Sequence, residues 1–132
     1  MSYIGRINPD YLFIGDEPNY NKRYVGENRF AGIFNSRCGM FLIEILKMMN
    51  LSFGIINSKE RNMVINKDSI DKINPKKKII CLGNNAFDLV YPLNLKIPVL
   101  KISHPQYALR FYGKNNFEKY AKDKRHEYER SN

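Results

Sequence analysis

Four short apolar runs constrain this chain more than anything else in it. They are "YLFIG" from Tyr11 to Gly15, "SFGIIN" ending at Asn57, "KKKIICLG" from Lys76 to Gly83, and "IPVLKIS" from Ile97 to Ser103. Each has strand length, carries β-prone residues and stops at a glycine, an asparagine or a serine, as a buried strand does. Helix-like segments lie between and after them. "GMFLIEILKMMNL", Gly39 to Leu51, is apolar on most faces and predicts a long buried helix. "DSIDKI", Asp68 to Ile73, predicts a short helix stopped by Asn74-Pro75. "NNAFDLVY" predicts a third helix, with Asn84 as its cap. "NNFEKYAKDKRHEYER" predicts a charged amphipathic fourth helix, frayed at its end. The order strand, helix, repeated through the chain, predicts an α/β three-layer sandwich around a mostly parallel four-stranded sheet.

Two stretches stand outside that alternation. "SKERNMVINK" is polar and predicts a loop. "DEPNYNKRYVGENRFAGIFNSRCG" is long, without a clear period, and interspersed with aromatics, which marks a functional loop rather than a disordered one. No repeat or linker divides the chain, and its 132 residues suit a single domain, 1–132.

The charge balance points to a partner. Lys and Arg number 22 against 13 Asp and Glu, a net charge of +9. Such an excess suits a polyanion, most simply nucleic acid; a genome rich in Lys codons would produce the same count. The two cysteines, Cys38 and Cys81, form no CxxC pair, so no zinc or iron–sulfur site is expected. Cys81 lies in an apolar run and reads as a small core residue, which suits a reducing, intracellular and cytoplasmic setting. The opening "MSYIGRINPD" has no apolar core of signal-peptide length, and no run approaches a membrane span. A monomer without cofactor is the simplest expectation.

In an open α/β sheet, ligands bind beyond the carboxyl ends of the strands. In this sequence those ends carry Asp16 and Glu17, then Asn57, then Gly83 and Asn84, then His104. Each has an ordinary account as a turn or cap residue. Together, two carboxylates, an amide and a histidine on one rim make a candidate site.

These residues also sit in an ordered set of motifs. "GDEP" follows the first strand, "FNSRCGMFL" opens the first helix, "IIN" ends the second strand, "KIICLGNNA" spans the third strand and the next helix start, and "HPQYALR" follows the fourth. The chain resembles the uracil-DNA glycosylase superfamily over about Leu12 to Arg110, most closely the small branch that usually carries an iron–sulfur cluster. That branch shows "GEAPG", "PFVGRAGxLL", "TN", "PKxIxxLGxxA" and "HPxxLLR" in the same order. The present chain lacks the branch's cluster cysteines and has Asn19 where the branch has Gly. Glu17 stands where the best-known members carry a catalytic Asp ("GQDPYH"), and Asp16 where the cluster branch carries Glu.

The resemblance implies hydrolysis of the bond between a pyrimidine base and deoxyribose in DNA, on a nucleotide flipped out of the stack. It implies that Phe34, with Phe30 as its rival, stacks on the base, and that Asn57 reads the base edge with an amide that both donates and accepts. Asn19 and Tyr20, just after the motif proline, would adjoin the base. His104 would donate to the base oxygen as negative charge grows there. Asp16 or Glu17 would stabilise the cation-like sugar and orient water, with Asp16 favoured because it follows the cluster branch. Tyr107 and Leu109 would wedge into the gap left by the flipped base, while Arg110, Lys101 and Arg37 would meet phosphates. Lys76 to Lys78 lie at the opposite strand end, where solvation explains them equally well. Two other readings compete. One is a DNA-binding module that keeps the fold without the chemistry. The other is a nucleotide-binding domain, which "GDEPNYNK" argues against because it is no glycine-rich loop and its acids would repel phosphate.

Overall fold

The structure, a computed structural model, describes residues 3–17, 47 and 50–102. Its elements are β1 (Tyr3–Gly5), β2 (Tyr11–Gly15), β3 (Phe53–Asn57), β4 (Lys59–Glu60), β5 (Met63–Val64), α1 (Lys67–Ile73), β6 (Lys78–Leu82), α2 (Asn84–Val90), a 3-10 turn (Tyr91–Leu93) and β7 (Val99–Ile102). The class is mixed α/β. The four apolar runs all become strands, and β3, β2, β6 and β7 pair in parallel in that spatial order. The main sheet nevertheless differs from the expected mostly parallel four-stranded one. Among the described residues it is a five-stranded mixed sheet, because β1 adds to β3 in antiparallel fashion. β1 escapes a sequence reading because it is only three residues long and only half-buried. The two strands approach closely at Gly5 and Gly54, which are partners in the register. A Cβ on Gly5 would strike the Phe53 carbonyl, and one on Gly54 would strike the Tyr3 ring.

Strand alternation gives the sheet two apolar faces. Leu12, Ile14, Ile56, Ile79 and Cys81 form the first, and pack with Ile65, with Ile70 of α1 and with Ala86 and Val90 of α2. Phe13, Ile55 and Ile80 lie on the second and are fully buried, and Leu82, Leu100 and Ile102 are buried as well. Each such side chain contributes about 1.5–3 kcal/mol through removal from water. Both described helices belong to the first face. The third layer of the expected sandwich lies outside the described residues, as do the helix expected at Asn115–Arg130 and nearly all of that at Gly39–Leu51.

Local chemistry sets the element ends. The segment "SKERNMVINK" is not a plain loop: β4 and β5 pair across a turn in which Arg61 has φ 57°, and the hairpin leads to buried Ile65. Asn66 caps α1 by accepting from the Ser69 N–H at 2.9 Å, and Asn74 ends it in the left-handed region, as the Asn74-Pro75 break predicts. Asn84 does not cap α2. Gly83 holds that position, at φ 98°, which a side chain at that position would resist, and Asn84 is the first helical residue. Cys81 is a buried free thiol. Among the described residues, no helix is long and apolar enough to cross a membrane.

Candidate active site

The parallel register aligns the carboxyl ends of the strands. Gly15 pairs with Asn57, and Leu82 pairs with Ile102. The ladder runs one bond beyond these ends. Ser58 N–H donates to the Gly15 carbonyl at 2.7 Å, and Gly83 N–H to the Ile102 carbonyl at 2.9 Å. The rim that carries Asp16, Asn57 and Gly83 is therefore fixed by backbone bonds up to the candidate residues.

Asp16 follows β2 and is half-buried. Its Oδ1 accepts the Glu17 backbone N–H at 2.7 Å, and its Oδ2 accepts the Asn85 side-chain N–H at 3.0 Å. Both bonds fix the direction of the carboxylate. Because Asn85 is in the first turn of α2, Asp16 leans toward the first face. Each carboxylate oxygen can accept more than one hydrogen bond, so acceptor capacity remains for a ligand. Glu17 is exposed, and its carboxylate has no hydrogen bond or ion pair among the described residues.

Asn57 is the last residue of β3 and only 1% exposed. Alternation places it with Ile55 on the second face. Its Nδ2 has no hydrogen-bond partner among the described residues, and neither has the Oγ of the next residue, fully buried Ser58. A buried amide donor left unpaired costs about 1–3 kcal/mol, so a partner gained here would be worth a comparable amount. Asp16 and Asn57 thus stand on adjacent strand ends, leaning to opposite sides of the rim.

Lys101 is exposed on β7, one residue before the strand ends, with its Nζ 5.4 Å from the centre of the Phe87 ring. The "KKK" entrance lies at the far end of the sheet. There Lys77 pairs with Asp10 at 3.7 Å, which gives it a structural role away from the rim. The remaining expected site residues, Asn19, Tyr20, Phe30, Phe34, Arg37, His104, Tyr107, Leu109 and Arg110, lie outside the described residues. Among the described residues, open clefts of about 410 and 640 Å³ are lined chiefly by α1 and its neighbours, and neither includes Asp16 or Asn57.

Sequence reasoning missed Asn85 and Ser58. Asn85 is the second asparagine of "GNN", in which the first is the one that reads as a cap. Ser58 directly follows Asn57, and a serine after a strand reads as turn chemistry unless its burial is known. No protein-family model matches the chain, and no curated protein matches it either.

Proposed function

We propose that this protein is a DNA glycosylase of uracil-DNA glycosylase-like fold, hydrolysing the N-glycosidic bond of uracil or a related modified pyrimidine. The observation that carries this reading is Asn57, a buried amide at the carboxyl edge of a parallel strand whose donor is unpaired among the described residues. A pyrimidine edge offers what such an amide needs, a carbonyl to accept and a ring N–H to donate. The motif order around it supports the same reading, as does the net charge of +9.

In this reading the substrate straddles the rim. The flipped base lies on the Asn57 side and the deoxyribose on the Asp16 side. As the glycosidic bond breaks, the base takes the bonding electron pair and the sugar becomes cation-like. Asp16, held by two N–H donors, presents a fixed negative charge to that cation and orients the attacking water. Glu17 is the secondary carboxylate. His104, by resemblance alone, donates to the departing base oxygen, and Phe34 stacks on the ring.

The test is incubation with a uracil-containing single strand, followed by alkali. Strand cleavage at the uracil position is expected, and His104→Ala should slow it strongly while leaving DNA affinity largely intact. Absence of abasic product at high protein concentration, with DNA binding retained, would replace the glycosylase by a binding module of the same fold. A panel with hydroxymethyluracil, thymine and hypoxanthine identifies the base.

A further inference from the structure

We propose that Tyr91, Phe87 and Lys101 form a stacking site for an unpaired base of single-stranded DNA, outside the pocket and along the flank of α2. The proposal rests on the nucleic-acid half of the function above and not on hydrolysis. Phe87 is half-buried against the core cluster, so its ring is anchored from below. The Tyr91 ring stacks on it with centroids 5.1 Å apart and planes 30° from parallel. The Lys101 ammonium group sits 5.4 Å from the centre of the same Phe87 ring. Tyr91 is 64% exposed, so the outer face of its ring is open to solvent while its neighbour is anchored.

The three groups divide the work of holding a single strand. A ring pair offers a π-face that any base can extend, and a lysine beside it meets the phosphate. Duplex DNA has no free base face to offer, so the site selects unpaired nucleotides. Its position suits that use. Asn85, which holds Asp16 at the rim, lies on the same helix, and residues 85 to 91 span about 9 Å along its axis. That is roughly two or three nucleotides of strand from the site of chemistry. Asp88 is exposed on the same helix and repels phosphate, so the strand runs on the Lys101 side.

The experiment measures fluorescence anisotropy of a labelled, uracil-free oligothymidylate and of a duplex of equal length, over a range of salt. The variants are Tyr91→Ala, Tyr91→Phe and Lys101→Gln in the full chain. Tyr91→Ala is expected to weaken single-strand binding about tenfold with duplex binding unchanged, and Tyr91→Phe to bind as the parent does. Lys101→Gln should lower the slope of log affinity against log salt by about 0.7. Equal single-strand affinity for Tyr91→Ala and the parent would overturn the proposal, as would a loss shared equally by duplex. The alkali assay on the same preparations keeps the two readings apart. Abasic product with an unchanged Tyr91→Ala affinity sinks this inference alone. Selective loss in Tyr91→Ala without abasic product supports it and removes the glycosylase.

Discussion

Asn85 donates its side-chain N–H to Asp16 Oδ2 at 3.0 Å, joining the first turn of α2 to the end of β2 across 69 residues of sequence. A carboxylate held this way by a second residue keeps its direction when a substrate arrives. Asn85→Ala should therefore reduce kcat roughly ten- to a hundredfold with KM little changed, because misplacement of a reacting group acts on the chemical step. The cost to folding should be only about 1 kcal/mol in urea titration. An unchanged kcat would mean that the bond is structural.

The two acidic residues of "GDEP" should separate sharply. In Asp16→Asn, turnover should fall about a hundredfold or more, and in Glu17→Gln far less. Single-turnover rates on a uracil-containing strand decide the matter. Equal small losses would show that neither carboxylate serves the sugar.

Asn57 should show opposite effects on activity and stability. Its Nδ2 is buried and unpaired among the described residues, so Asn57→Leu removes a polar group that the fold does not satisfy. Melting temperature should hold or rise, whereas base release should fall at least about a hundredfold, as the loss of a hydrogen-bonded recognition group does. A severe loss of stability would show that the amide serves the fold.

Burial pushes the Cys81 thiol up from 9.0 to about 12. At pH 8 only about one thiol in ten thousand would be ionised, so thiol reagents should label Cys81 only on unfolding. The raised value also fixes a sign. The folded state holds its proton more tightly than the unfolded chain, so this contribution is complete below pH 9 and declines as pH rises from there toward 12. Tyr3, also raised by burial, acts in the same direction from its ordinary 10.0. Chemical denaturation at pH 8 and pH 11 should show lower stability at the higher value, and less difference in Cys81→Ala.

Gly54→Ala should weaken the sheet by about 1–3 kcal/mol, since the new methyl group meets the Tyr3 ring. Tyr3→Ala opens that space. The double variant should therefore be more stable than the sum of the single losses implies, and additive losses would place the strain elsewhere.

The central strands were legible because burial leaves a compositional trace. "YLFIG" and the "IICL" of the third run are apolar throughout, and each of their apolar side chains is buried from water. β1 left no such trace. Its three residues are partly exposed, and what they require is an absence of side chains at Gly5 and Gly54. The β4–β5 hairpin is equally opaque, because Lys59, Glu60, Met63 and Val64 are all partly or largely exposed and follow no apolar period. At the candidate site, the strand-end rule points to Asp16 and Asn57 without any contact being known. Asn85 could not be found that way, since its importance lies in one bond to a residue far off in sequence. The emptiness beside Asn57 Nδ2 is a property of packing, which composition does not carry.

At the end of the sheet away from Asp16, the backbone N–H groups of Lys76, Lys77 and Lys78 all donate to the carbonyls of Pro9 and Asp10, at 2.8 to 3.2 Å, while Tyr11 N–H donates to Ser52. The links entering β2, β3 and β6 are thereby stapled to one another. Their amide protons should exchange with solvent as one cooperative unit at the slow end of the range, since none can open without the others.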